Sequence, residues 1–193
     1  MNGYIAKKSQ EGIIERSAET LLTLERKVWL TGPIEEKNAF DVINQLLVMD
    51  SESDKEITLL ISSPGGALNE GLAIYDVINI IASSVRTIAV GTVASMASII
   101  FSAGEKGKRE ILPSSRIMIH DPRVIGGGEV ITATQAIELG NDLQVTKNKI
   151  NSILAEKCGK ELEEVNKDTL VDKYMSAEEA IEYGIADVIC ERL

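Results

Sequence analysis

The stretch of sequence that decides the fold is residues 57–81, ITLLISSPGGALNEGLAIYDVINII. Its first part, residues 57–61, is an apolar run of strand length, and the Ser-Pro-Gly-Gly at 63–66 is typical of a turn. Residues 69–81 then have helical spacing at positions 71, 74, 78 and 81, provided that a helix accommodates Gly71. The stretch therefore predicts a strand, a tight turn and a helix in succession.

The same succession of strand and helix is repeated along the chain. We predict further strands at 27–31, 85–90, 109–112, 116–119 and 185–189, the first closed by Gly-Pro at 32–33 and the second by Gly91. Helices are predicted at 35–49, 95–103 and 132–157, and a last helix begins at the capping-box pattern SAEE of residues 176–179 and ends at Gly184. Alternating strands and helices indicate an α/β fold whose ligand site lies at the carboxyl ends of the strands.

Two of the predicted helices have an apolar stripe that indicates which side faces the core. In helix 35–49 the stripe consists of residues 40, 43, 46 and 47, and in helix 132–157 it consists of residues 139, 143, 150 and 154. The long helix follows the glycine-rich stretch 126–128, and we expect it to project from the domain. Residues 1–26 are polar and mixed in charge, and we expect an N-terminal arm with a short helix there.

The composition favours one cytoplasmic domain. Of the 193 residues 44% are hydrophobic, enough for a sizeable core, and no shift in composition marks a second domain. Thirty acidic residues against 20 basic ones give a net charge of −10, which disfavours nucleic acids and anionic membranes as partners and suits neutral or peptidic substrates. No apolar run has the ~20 residues needed to cross a bilayer, and the first residues lack the apolar centre of a signal peptide.

Metal and redox chemistry have little support in the sequence. The two cysteines, Cys158 and Cys190, have no metal-ligand spacing and no clustered histidine partner. We therefore expect two incidental thiols in a reducing compartment, with no metal and no cofactor.

The candidate chemistry centres on His120, the only histidine of the chain, and on Ser95. Ser95 lies in the small-residue run GTVASMAS (91–98), and both residues fall just beyond predicted strands. A serine hydroxyl is a weak nucleophile at neutral pH unless a base takes its proton, and histidine meets that demand best. Taken alone, the two residues fit a structural role better than a catalytic one, since lone histidines are more often structural.

Backbone donors for an oxyanion are also available. Two adjacent glycines, Gly65 and Gly66, leave N–H groups accessible where a side chain would block approach, although Pro-Gly pairs are more often plain turns. The residue after Ser95 is Met96, whose N–H is unpaired if the serine stands at a helix N-terminus. These groups could stabilise the negative charge of an acyl-transfer intermediate.

The acid that orients a catalytic histidine must come from the aspartates. Asp121 adjoins His120, but neighbouring side chains of an extended segment point to opposite faces, so it could not easily hold the imidazole. Asp168 and Asp172 remain, and in so acidic a chain most carboxylates are simply solvated. Spacing does not choose between these two.

Six strings, in the same order over about residues 27–190, resemble a known family. They are SPGG (63–66), AIYD (73–76), GTVASMA (91–97), AGEKGKR (103–109), LPSSRIMIH (112–120) and YMSAEEA (174–180). Several strings spread over most of the chain are far more specific than any single motif. The sequence resembles the Clp protease proteolytic subunit family (ClpP).

The resemblance implies a serine endopeptidase with a Ser-His-Asp triad. Ser95 corresponds to the nucleophile, His120 to the base and Asp172 to the orienting acid. Asp172 is chosen because it stands two residues before the Tyr-Met-Ser at 174–176, where the family's acid stands.

The resemblance also implies roles for backbone groups around the triad. The N–H groups of Gly66 and Met96 correspond to the oxyanion hole. Gly65, Gly126 and Gly127 correspond to the backbone that binds the substrate peptide. No metal or cofactor belongs to this set.

Members of this family have a crotonase-like spiral of repeated ββα units, and the resemblance makes residues 132–157 a projecting handle helix. The chain then divides into an N-terminal arm or axial segment (1–26) and one peptidase domain (27–193). Subunits, identical or paralogous, assemble into two stacked seven-membered rings and degrade unfolded polypeptides fed by an AAA+ unfoldase. ATP is used by that partner and not by this chain.

The sequence departs from the family pattern at several places. Residues 170–171 are Leu-Val, where the family usually has an acidic or polar residue and then an arginine that ties neighbouring subunits together. Residues 123–125 form a short insertion before the paired glycines, and Leu60 replaces an aromatic that is usual in the unfoldase-docking pocket. An alternative is therefore a weakly active or non-catalytic companion of an active paralogue. A third interpretation is a crotonase-type acyl-CoA enzyme, which shares the fold but needs no triad.

Overall fold

The computed structural model describes residues 4–9, 12–123 and 132–193. Its strands are β1 (Tyr4–Ser9), β2 (Gly12–Ser17), β3 (Lys27–Thr31), β4 (Ile57–Ser63), β5 (Val85–Ala94), β6 (Arg109–Ile111), β7 (Arg116–Ile119), β8 (Lys173–Met175) and β9 (Val188–Ile189). Its helices are α1 (Ala18–Leu24), α2 (Glu36–Glu52), α3 (Leu68–Ile80), α4 (Met96–Ser102), α5 (Ala133–Cys158), α6 (Leu162–Asp168) and α7 (Ala177–Tyr183).

Five parallel strands form the central path of the sheet, in the order β3-β4-β5-β6-β9. β7 pairs in parallel with β5, and β8 pairs with β7 in the antiparallel direction, so that seven strands share one sheet. β1 and β2 form a separate antiparallel hairpin. Because helices connect the parallel strands, the predicted α/β class is confirmed. The spiral of repeated ββα units stays a prediction.

β5 changes its partner along its length. Residues 87–89 pair with β6, whereas residues 92–94 pair with β7. Between the two pairings lies Gly91, with a φ of 71°. The predicted strand end at Gly91 is wrong, because glycine adopts a positive φ without strain and the strand bends there instead of ending. The carboxyl ends of β5 and β7 therefore lie side by side.

The helix predicted at 69–81 is α3, and it accommodates Gly71 for a packing reason. Gly71 is buried, and a Cβ atom there would lie 2.2 Å from Cγ of Met96 in α4. The two helices therefore approach at a distance that glycine alone allows. This close contact fixes the side chain that directly follows Ser95.

The apolar stripe predicted for the first long helix is half right. Ile43 and Leu46 are buried in α2, but Phe40 and Leu47 are 52% and 48% exposed. The buried face is completed by smaller or neighbouring side chains, namely Ala39, Val42 and Met49. These buried side chains form the face of α2 that packs against the core, and Phe40 and Leu47 lie beside that face.

α5 has two unlike halves. The helix begins with a capping box between Thr132 and Gln135 and ends at Gly159, which has a left-handed conformation. Its buried residues, Ile150, Asn151 and Leu154, all lie in the second half. The first half exposes apolar side chains, with Ile137 66% and Leu139 39% exposed. Of the predicted stripe, residues 150 and 154 thus face the core, whereas residue 139 is exposed.

No sequence pattern predicts α6 and β8. α6 has a single buried residue, Val165, and β8 spans three residues, so neither has a clear periodicity. The strand predicted at 185–189 shortens to β9, whereas the capping box at Ser176 and the helix stop at Gly184 are confirmed. In the predicted arm, the short helix is α1, and the hairpin of β1 and β2 precedes it.

Candidate active site

Ser95 stands at the turn between β5 and α4. Its backbone has φ 56° and ψ −127°, a conformation that costs a residue other than glycine about 1–3 kcal/mol. The turn is held by a hydrogen bond from the Ser95 N–H to the carbonyl of Met118 (2.9 Å) and by Ser98, whose N–H and hydroxyl donate to the Ser95 carbonyl (2.9 and 2.6 Å). The sharp turn presents the Ser95 hydroxyl at the carboxyl edge of the sheet.

His120 follows the carboxyl end of β7 and contacts this hydroxyl. Its Nε2 lies 2.8 Å from Ser95 Oγ, and its Nδ1 lies 3.1 Å from Oδ1 of Asp172. A carboxylate accepts only, so Nδ1 carries the ring proton and donates to Asp172. Nε2 is then left to accept the proton of the serine hydroxyl. The three side chains form one continuous chain of hydrogen bonds.

The aspartates that spacing leaves open are separated by their partners. Asp172 lies between α6 and β8 and contacts His120, with its side chain 37% exposed. Asp168 is paired with Lys173, whose Nζ lies 2.8 Å away, and Asp121 is paired with Lys147 at 2.6 Å. Of the three, the structure brings Asp172 alone to the imidazole.

The glycine pair at 65–66 packs directly against the serine turn. Gly65 has φ 92°, and a Cβ atom there would lie 2.7 Å from Cβ of Ser95. Gly66 has φ 150°, and a Cβ atom there would lie 2.4 Å from the carbonyl oxygen of Ile34. Both positions therefore require glycine, for space as well as for backbone conformation. The backbone of this loop, without side chains, forms one wall beside the hydroxyl.

Among the described residues, two N–H groups near Ser95 have no acceptor. Among the loop, turn and cap hydrogen bonds of the described residues, neither Gly66 nor Met96 donates its N–H. Met96 is the first residue of α4, where the N–H of a helix has no partner within the helix. Both groups are therefore available to bind an oxygen atom outside the chain.

A cleft of about 460 Å³ opens beside the three side chains, within the range of small-molecule and peptide subsites. Most of its wall is apolar, formed by Pro33, Pro64, Leu68, Met96, Ile99, Ile119, Pro122, Ile150 and Leu154. Arg123 is the one arginine or lysine among the described residues that line it. The cleft thus suits an apolar group and has one cation at its rim.

Arg123 is the site residue that sequence reasoning missed. Its Nη2 donates to Oδ1 of Asp172, the same oxygen that accepts the hydrogen bond from His120. The sequence signal was its place in the short insertion at 123–125, which carries no hint of a partner. Gly126 and Gly127, predicted to bind substrate, lie outside the described residues.

His, Cys, Asp and Glu side chains are the candidate metal ligands in the described part of the chain. No group of three or more His, Cys, Asp or Glu side chains with metal-binding geometry occurs there. Burial raises the pKa of Cys158 to about 11, which keeps its thiol protonated at neutral pH. Cys190 is buried, and the two cysteines are not joined.

Across 4–9, 12–123 and 132–193, no helix is both long and apolar enough to cross a bilayer.

A comparison with protein families matches nearly the whole chain. The sequence profile of the Clp protease family aligns with residues 10–193. The matched region contains every helix of the structure and the residues of the candidate site. The chain therefore belongs to the Clp protease family of ClpP-type serine peptidases.

Proposed function

We propose that this chain is a serine endopeptidase in which Ser95 is the nucleophile, His120 the general base and Asp172 the acid that orients the imidazole. The observation that carries the proposal is the chain of hydrogen bonds from Ser95 Oγ to His120 Nε2 (2.8 Å) and from His120 Nδ1 to Asp172 Oδ1 (3.1 Å). This arrangement gives the serine a base within hydrogen-bond reach and fixes the tautomer of that base. Family membership supports peptide-bond cleavage as the reaction.

The proposed reaction has two half-reactions. Ser95 Oγ attacks the scissile carbonyl carbon while its proton passes to His120 Nε2, and the carbonyl oxygen becomes negatively charged. The N–H groups of Gly66 and Met96 stabilise that oxyanion. His120 then gives the proton to the leaving amine, and an acyl-enzyme remains on Ser95. In the second half-reaction water gives a proton to His120 and attacks the acyl carbon, the bond from that carbon to Ser95 Oγ breaks, Ser95 regains the proton from His120, and the new carboxyl end of the peptide leaves.

The cleft supports a preference for apolar side chains next to the scissile bond. Leu68, Ile99, Ile150 and Leu154 line it together with Met96. Burial of an apolar side chain contributes roughly 1.5–3 kcal/mol, so such a residue would be favoured over a charged one. We propose unfolded polypeptides as substrates, because an extended chain is needed to lay a single side chain into this cleft.

Members of the family generally assemble as oligomers and work with an unfoldase partner. We propose that this chain does so in the cytoplasm, in two stacked heptameric rings of identical or paralogous subunits, with ATP consumed by an AAA+ unfoldase. The exposed apolar half of α5, with Ile137 and Leu139, supports a subunit contact. The domain division into arm (1–26) and peptidase domain (27–193) belongs to the same proposal.

A companion role is the second candidate. Leu170 and Val171 are 64% and 68% exposed, at the place where the family usually has residues that pair with a neighbouring subunit. If a paralogue supplies the missing contact, this chain would be weakly active alone. Native mass spectrometry combined with a peptidase assay separates the two roles: active rings formed by this chain alone would contradict the companion role.

The test of the nucleophile is covalent labelling with a small fluorophosphonate. We expect one adduct per chain, mapped to Ser95 by peptide sequencing, and loss of labelling and of fluorogenic-peptide hydrolysis in Ser95→Ala. Ser102→Ala serves as the matched control and should keep both, because that serine lies in the helix that follows Ser95 and its hydroxyl donates to the Ile99 carbonyl (2.7 Å) instead of to the Ser95 turn. Retained peptide hydrolysis in Ser95→Ala, or an adduct on another residue, would contradict the proposal.

A further inference from the structure

A guanidinium group shares the carboxylate oxygen that orients the histidine. Oδ1 of Asp172 accepts a hydrogen bond from Nδ1 of His120 (3.1 Å) and another from Nη2 of Arg123. The His120 side chain is 12% exposed, that of Asp172 37% and that of Arg123 58%. Of the three side chains, the guanidinium is thus the most exposed and the imidazole the most buried.

This ion pair is poorly suited to a purely structural role. An ion pair between exposed side chains contributes little to the stability of a fold. In the described part of the chain, Arg123 donates no other side-chain hydrogen bond. By contrast, Arg26 and Arg109 donate to backbone carbonyl groups of other segments and tie them together. Among the described residues, the guanidinium of Arg123 thus donates a hydrogen bond to Asp172 alone.

We propose that Arg123 is a positioning residue of this site: shared contact with Asp172 Oδ1 holds the carboxylate toward His120 and sets how readily the imidazole takes a proton. The inference rests on the proposed function, since it gives Arg123 a role in the triad. Holding an exposed carboxylate in one orientation keeps its hydrogen bond to Nδ1 of His120 formed, which aims Nε2 at Ser95. A positive charge beside the carboxylate also opposes protonation of the nearby ring.

Among the described residues, two further acids on the segments that carry His120 and Asp172 are paired with lysines. Asp121 follows His120 and is bound by Lys147, and Asp168 is bound by Lys173. Each of these pairs is neutral as a whole and changes little between protonation states of the ring. Removing the charge of Arg123 should therefore leave the imidazolium better stabilised, so that the ring protonates at a higher pH.

His120 is the single histidine of the chain, which makes this effect directly measurable. We would follow the NMR signal of histidine labelled with ¹³C at Cε1 against pH in the assembled protein. For Arg123→Gln we expect the midpoint to rise, because a positive charge near the ring is removed. Arg123→Lys keeps the charge and should keep the midpoint.

Arg116→Gln is the matched control, because it removes the same charge from the strand that leads to His120. Arg116 is exposed, lies over the ring of Tyr174 at 5.2 Å, and is four residues from the imidazole along β7, about 13 Å in an extended strand. That distance exceeds the Debye length of ~8 Å at physiological salt. We expect no change in the midpoint for this variant.

Peptide hydrolysis gives the second readout. In Arg123→Gln, kcat should fall about threefold to tenfold with KM nearly unchanged, and the acidic limb of the profile of kcat/KM against pH should move up with the NMR midpoint. An unchanged midpoint in Arg123→Gln, or an equal rise in Arg116→Gln, would overturn the inference. If Ser95 takes no fluorophosphonate while the midpoint still rises in Arg123→Gln alone, the contact is supported and the proposed function fails.

Discussion

The hydrogen bonds of the candidate site run from the nucleophile, Ser95, to the acid, Asp172, and these two ends differ in how deeply they are buried. The nucleophile end lies in the core: every residue of α4, which follows Ser95, is buried. The acid end lies at the surface, where Leu170 and Val171 are 64% and 68% exposed. Packing within the subunit therefore fixes the position of Ser95, whereas few contacts within the subunit hold Asp172.

The difference can be traced to single hydrogen bonds. The connection that carries Asp172 is anchored before it by Thr169, which is fully buried and accepts a hydrogen bond from Asn151 in α5 (3.1 Å). The carbonyl of Thr169 also accepts from the N–H of Asp121 (2.8 Å). The next anchor is Lys173, where β8 begins to pair. Only residues 170–172 lie between the two anchors, and they include the acid.

The largest expected effect breaks the acid end. Asp172→Asn should lower kcat by several orders of magnitude, on the order of 10⁴ as for the same change in a Ser-His-Asp protease, because the imidazole then favours the wrong tautomer. Asp168→Asn is the control and should stay within about threefold of the unchanged protein, since Asp168 pairs with Lys173 instead. The measurement is fluorogenic-peptide hydrolysis. An equal loss in both variants would mean that the wrong aspartate is assigned.

A smaller effect tests how strongly the nucleophile end depends on packing. Gly71→Ala would bring a methyl group to 2.2 Å from Cγ of Met96 and should move the N–H of the proposed oxyanion hole. We expect kcat to fall on the order of 10²-fold, as for loss of one oxyanion donor. Overpacking should destabilise the fold by about 1–3 kcal/mol, partly offset by the better helix propensity of alanine.

Gly140→Ala is the matched control for this variant. Gly140 also lies in a helix, α5, but a Cβ atom there meets nothing within 4 Å. We expect unchanged hydrolysis and a slight gain in stability, measured by urea unfolding. If Gly71→Ala were as active as Gly140→Ala, the serine turn would be less dependent on core packing than the comparison of the two ends indicates.

The smallest expected effect concerns contacts between subunits at the acid end. If a subunit contact buries Leu170 and Val171, replacing both with serine should weaken that contact. The expected loss is about 1–2 kcal/mol, or roughly tenfold in the dissociation constant. Peptide hydrolysis should then fall at low protein concentration and recover at high concentration. Native mass spectrometry would report the assembly directly. Activity and assembly that do not change with these substitutions would show that the acid end is completed within one chain.

The sequence was sufficient for the parts of the molecule that follow regular patterns. Apolar runs such as residues 57–61 and turn signals such as 63–66 predicted the α/β class, because strands and helices differ in the spacing of buried residues. The positions of Ser95 and His120 beyond strands followed from the same patterns. Their contact did not, since it depends on the pairing of β5 with β7, which no local pattern contains.

Other features required the three-dimensional structure for identifiable reasons. Phe40 and Leu47 are apolar but exposed, so that a stripe of apolar residues misjudged the buried face of α2. Gly91 signalled a strand end, although a positive φ lets the strand continue. The contact between Arg123 and Asp172 joins residues far apart in sequence, and the choice of Asp172 over Asp168 came from family resemblance rather than from spacing.

The ladder between β5 and β7 has a consequence for how the active fraction of a sample should be interpreted. Ala94 is paired with Met118, so Ser95 and His120 extend one and two residues beyond the same rung. A slip of one residue between the strands would turn the imidazole to the opposite face of the sheet. A molecule with the slipped pairing could remain folded and yet be inert. Titration with a covalent serine reagent would therefore count correctly aligned strands, and comparison with total folded protein would measure how faithfully this sheet assembles.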